Sequence, residues 1–185
     1  MTIPSNTTAL AVDLTRQLAL FALLIIATFT DISAGKVHNW LVYPAMALGL
    51  ALGIAGPMFG VSSPDALDAL IGLLLGFGIF GLFFSMGWLG AGDAKLAGAI
   101  GAICGYAFFL WALVYMTLAG CMLAVVILIW KGMLLETLKN SVVFFFRPGK
   151  LKAKLEASGR QPVLIPYGVA MAAGTMVAWF LRPMA

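Results

Sequence analysis

Among seven acidic residues in a chain of 185, Asp31 and Asp93 stand where an acid is costly. Asp31 closes an apolar run at 17–31, and Asp93 comes just ahead of a run at 96–130 that carries no charge. A charge at the centre of a bilayer costs roughly 2.5–3.5 kcal/mol on insertion scales, so carboxylates in or at the edge of such runs are functional candidates by default. Asp65 and Asp68 also open an apolar run. There Ser63 as cap, Pro64 in the first turn and an acid near the positive helix end account for at least Asp65. Helix packing can bring two carboxylates from distant parts of a chain together on one membrane face, where they share a proton. The ionised partner then takes a proton from water, while the protonated one polarises a carbonyl. That chemistry is peptide hydrolysis by an aspartic mechanism. The single histidine, His38, has no serine or cysteine beside it, so neither a hydroxyl or thiol nucleophile nor a histidine metal site is indicated. Cys104 and Cys121 lie in apolar stretches, form no C-x-x-C pair and read as small packing residues. No cofactor and no metal are expected. Ion-coupled carriers also use paired aspartates, and a small proton- or ion-coupled transporter working through Asp31 and Asp93 is the alternative. A transporter would be expected to hold charges near the midplane and often to show internal repeats, and neither is visible here. A non-catalytic membrane subunit of a secretion complex is a third class.

The elements that position these acids follow from composition. The chain is 63% apolar and 10% charged, with mean hydropathy +1.06. A soluble domain would be near 45–50% apolar and about 25% charged, and a surplus of this size cannot be hidden in one wetted globule. A soluble enzyme, a nucleic-acid binder and a disordered chain are excluded, leaving an integral membrane protein. Reading apolar runs against breakers gives an all-α, polytopic membrane protein of about six transmembrane helices in a single membrane-embedded domain over 1–185, at 17–31, 40–59, 64–86, 96–106, 108–130 and 163–181. The uncharged stretch 96–130 as one helix would be about 52 Å long against a hydrocarbon core of about 30 Å, so it is expected to turn near Gly105-Tyr106. Glycines at four-residue spacing (Gly49/Gly53, Gly72/Gly76, Gly101/Gly105) are expected to let helix backbones approach closely. The apolar segment at 18–30 lacks the positive flank of a signal peptide and is read as a retained first span.

The net charge of +4 matters through its placement. With six spans, nine of the eleven Lys and Arg residues fall in the first, third and fifth loops. That asymmetry orients those loops to the cytoplasm and both termini outside, and it sets Asp31 and Asp93 at the cytoplasmic edge. The loop 131–162, with Lys131, Lys139, Arg147, Lys150, Lys152, Lys154 and Arg160, is expected to lie along the headgroups, held by anionic lipid.

The surroundings of the two acids narrow the choice. Gly90-Ala91-Gly92-Asp93-Ala94-Lys95 resembles the G-x-G-D-x-K pattern of the type IV prepilin peptidases, a family of GxGD intramembrane aspartic proteases. Asp31-Ile32-Ser33-Ala34-Gly35-Lys36-Val37-His38-Asn39 is similar to the family's first aspartate segment, with the same spacing from Asp to Asn, although Ser33 stands where Arg is common and His38 where Pro is usual. Ile165-Pro166-Tyr167-Gly168 resembles the family's Pro-Tyr-Gly at the start of the last helix. The resemblance implies an endopeptidase with Asp31 and Asp93 as the catalytic pair. Gly90 and Gly92 would shape the site, Lys36 and Lys95 would favour the ionised carboxylates or reach for phosphates, and Asn39, Pro166 and Tyr167 would hold structure or substrate. It implies a prepilin substrate with a basic leader ahead of an apolar helix, cleaved at the cytoplasmic face of a bacterial inner membrane, with pilus assembly machinery as a further partner. Only residues 32–39 separate the first two spans, so the cysteine-paired insert of the larger members has no room. The chain is similar to the short form found with Tad or Flp-type pili, and the resemblance does not extend to N-methylation.

Overall fold

In hydrocarbon every backbone N–H and C=O must find a partner inside the protein, and a helix satisfies this within a single segment. The structure, a computed structural model, describes residues 7–61, 64–86, 89–132 and 167–181. Its elements are α1 (Thr7–Ala34), α2 (Asn39–Ala55) with a 3-10 extension Gly56–Phe59, α3 (Ala66–Ser85), α4 (Ala91–Trp130) and α5 (Tyr167–Leu181), with no strand among the described residues. Against an expectation of about six spans, four segments among the described residues are long and apolar enough to cross a membrane: α1, Asn39–Phe59, α3 and α4. The helix α5 is apolar but shorter. Residues 133–162 of the basic loop, Ser63 and Pro166 lie outside the described residues. The described chain up to Ala119 together with α5 forms one compact unit, and from Gly120 the chain belongs to a second. What is described of the second unit is the exposed end of α4, closed by Gly132, whose N–H donates to the carbonyl of Ile129 at 3.0 Å.

Helical periodicity sorts α1 into two faces. Arg16, Leu20, Leu23, Leu24, Ala27 and Asp31 are buried at steps of three and four, while Leu18, Ile25, Phe29 and Ile32 face outward. Asp31 therefore ends the inward stripe. The helix stops at Gly35, whose φ of 61° admits the left-handed turn that lets its N–H close on the carbonyl of Asp31 at 2.9 Å. The loop after α1 is only 35–38, and His38 is extended (φ −82°, ψ 138°) ahead of α2.

Glycine decides how the helices meet. A Cβ on Gly72 would overlap the carbonyl of Gly101, one on Gly76 the carbonyl of Ala97, and one on Gly105 would stand 2.7 Å from Pro64. Four residues forward along α4 match four back along α3, so the two run antiparallel with backbones touching. Gly49 of α2 meets the backbone of Ala102 in the same way, and Gly53 meets Asp65 and Ala69 of α3. Lipid tails are as apolar as leucine, so such close van der Waals contact takes the place of the hydrophobic effect in holding helices together. The first half of α4 is the central element: Ala94, Leu96, Ala97, Ala99, Ile100, Ala102 and Ile103 are at most 2% exposed. At Gly105 the backbone leaves the helix (φ 79°, ψ 166°), a region open essentially to glycine alone.

Two boundaries differ from expectation. The cap of α3 is Asp65, whose Oδ1 accepts the N–H of Asp68 at 2.8 Å. A carboxylate there fills the capping role expected of Ser63, and Pro64 precedes the helix instead of opening it. The helix α4 starts at Ala91, so Asp93 lies inside its first turn and not ahead of it.

Candidate active site

Asp31 and Asp93 are brought to the same end of the first unit. Asp31 arrives from the last turn of α1 and Asp93 from the first turn of α4, and they are within coulombic reach of each other. Their exposures are 7% and 8%, so both carboxylates are enclosed, and enclosed carboxylates need donors. Asp93 Oδ2 accepts the N–H of Gly90 at 3.1 Å, and the N–H of Asp93 donates back to the carbonyl of Gly90 at 3.1 Å. This is the acid half of a capping box, with the third helical residue reaching back to the cap. Asp31 Oδ2 accepts the N–H of Gly168 at 2.7 Å. The first turn of α5 thus presents an unpaired, positively polarised N–H to Asp31.

Each motif glycine answers a specific approach. A Cβ on Gly92 would lie 3.2 Å from Val37 Cβ, so the α1–α2 loop rests on it, and one on Gly90 would lie 3.2 Å from Asp93 Oδ2. A Cβ on Gly168 would stand 2.8 Å from Asp31 Oδ2 and 3.0 Å from its Cγ. Gly168 closes the Ile165–Gly168 motif, and its part in holding Asp31 is visible only in the structure. The signal available was a glycine in the first turn of a helix, where a side chain would cover the free N–H groups.

Lys95 Nζ donates to Asn39 Oδ1 at 2.8 Å and stands 5.2 Å above the ring of Tyr43, a residue the sequence did not mark. Being two positions after Asp93, it projects about 200° away around α4. Lys36 is exposed on the loop, and Tyr167 is half-buried at the start of α5. At the opposite end of the unit, Arg16 Nη2 donates to the carbonyl of Pro64 at 2.9 Å. Among the described residues, no three His, Cys, Asp or Glu side chains gather as metal ligands would.

Chemically, this arrangement offers two enclosed carboxyl groups on rigid helix ends, each fixed through one oxygen. A model of the type IV leader peptidase family matches residues 18–129, more than half of the chain and inclusive of both aspartates. No curated protein matches the chain, and no solved structure does.

Proposed function

The chain belongs to the type IV leader peptidase family, and from that premise we propose that it is a membrane-embedded aspartic endopeptidase that removes the leader of a type IV or Flp-like prepilin. The observation that supports this reading is that Asp31 and Asp93 both lie enclosed at one end of an apolar helical unit, each accepting a backbone N–H. A proton shared between the two leaves one carboxylate to deprotonate water and one acid to hydrogen-bond the scissile carbonyl. The protonated partner then passes its proton to the leaving amine, and no cofactor is needed.

In this reading α4 crosses twice, broken at Gly105, and α5 is the last of six spans. The lysine-bearing loops face the cytoplasm of a bacterial inner membrane and both termini lie outside. The acid pair then opens to the side on which an uninserted basic leader remains. The loop 131–162 lies on anionic lipid, and the pilus assembly machinery receives the product. The short loop 35–38 leaves no place for the paired-cysteine insert of the larger family members, so the proposal is confined to leader cleavage.

The test is cleavage of a candidate prepilin in membranes. Asp31→Asn and Asp93→Asn, each expressed at the normal level, are expected to reduce cleavage at least about 1,000-fold. Asparagine still offers Gly90 N–H an acceptor, so Asp93→Asn should keep the fold while losing activity. Normal cleavage by either variant overturns the assignment.

A further inference from the structure

The lysine of the second aspartate motif and the asparagine of the first are joined, and that joining spans the two acids. Lys95 leaves α4 on the side away from Asp93, so its ammonium is not aimed at the carboxylate two residues before it. Its hydrogen bond runs 2.8 Å to Asn39 Oδ1, and its charge sits 5.2 Å over Tyr43, one turn further along α2 on the same face. Asn39 is the first residue of α2, separated from α1 only by the loop 35–38. Drawing that end of α2 onto Lys95 therefore also seats Val37 on Gly92, where a Cβ would already be 3.2 Å from Val37. Asp93 is flanked on both chain sides by contacts to the segment that follows Asp31: Gly92 through Val37, and Lys95 through Asn39. A charge-assisted hydrogen bond is stronger than a neutral one, and a cation over a tyrosine adds to it.

We propose that Lys95, Asn39 and Tyr43 form a positioning clasp that holds the Asp93 turn of α4 against the Asp31 segment, without carrying protons and without gripping substrate. The inference rests on the peptidase reading above and assigns those residues a role within it. A clasp of this kind acts on the chemical step, because a misplacement of even about 1 Å between reacting groups can cost about 100-fold in rate.

Purified enzyme in lipid vesicles is assayed on a prepilin at varied concentration. Lys95→Met and Asn39→Ala are each expected to lower kcat about tenfold or more, with KM within about twofold of wild type. The double variant should be no slower than the worse single variant, since both remove one interaction. Asn39→Asp keeps an acceptor for Nζ and should recover most of the kcat lost in Asn39→Ala. A rise in KM at unchanged kcat would instead make Lys95 a substrate ligand and overturn the clasp. So would losses that multiply in the double variant, or a Lys95→Met enzyme as fast as wild type. If Lys95→Met does not accumulate, the contrast between Asn39→Ala and Asn39→Asp decides alone, and equal rates for the two overturn the proposal. Asp31→Asn and Asp93→Asn run alongside: cleavage by these sinks the peptidase assignment itself, whereas their inactivity with unaffected Lys95 variants sinks only the clasp.

Discussion

Asp31 and Asp93 are polar groups in a setting that penalises them, and the backbone is what makes them tolerable. Each carboxylate is reached by an N–H that a helix start leaves unpaired: Gly90 for Asp93 and Gly168 for Asp31. The donors come at no cost in side-chain entropy and sit on rigid helix starts, which suits the catalytic role proposed for the two acids. Glycine at 168 is required by distance. Gly168→Ala would push a methyl to 2.8 Å from Asp31 Oδ2, displacing either the carboxylate or α5. Its cleavage rate is expected to fall by about 10- to 100-fold at normal expression. Wild-type kinetics in that variant would show that the N-terminus of α5 is not what holds Asp31.

At the scale of elements, the central helix is where tolerance is least. The first half of α4 is largely buried and comes into backbone contact with α2 at Gly49 and with α3 at Gly72 and Gly76. Substituting Gly101 by Leu would set a branched side chain into the carbonyl of Gly72, and overpacking of this kind typically costs about 1–3 kcal/mol or more. Gly105→Ala meets two obstacles together, a backbone conformation reserved for glycine and Pro64 at 2.7 Å, for an expected loss of about 1–3 kcal/mol. Both variants should melt at lower temperature in detergent than wild type, whereas Gly78→Ala, where a Cβ meets open space, should not. Equal melting of all three would mean that the close α3–α4 contact is not what stabilises the unit.

At the scale of the whole molecule, the two ends of the first unit differ in kind. One end holds Asp31, Asp93, Lys95 and Gly168. The other holds Arg16 against Pro64, the capped start of α3 and the break at Gly105. The proposed orientation puts the first end in the cytoplasm. In a chain with Cys104 and Cys121 replaced by Ala, a cysteine at the exposed position 36 should be shielded from an impermeant maleimide added to whole cells. A cysteine at the exposed position 58 should be labelled at once. The reverse pattern would turn the molecule over and place the acid pair on the outer face.

The all-helical membrane architecture was legible in composition, because 63% apolar residues with so few charges leave no other partner than lipid. The two acids stood out for the same reason: an aspartate beside an apolar run is expensive enough to be informative by itself. Close glycine packing was foreseeable from four-residue spacing, since that spacing defines one face of a helix. What spacing cannot encode is which faces meet. That Lys95 turns toward Asn39 and Tyr43, that α5 offers an N–H of its first turn to Asp31, and that Asp65 caps α3 all depend on contacts between segments far apart in the chain. Such contacts are set by how backbones pack in three dimensions, which no one-dimensional period contains.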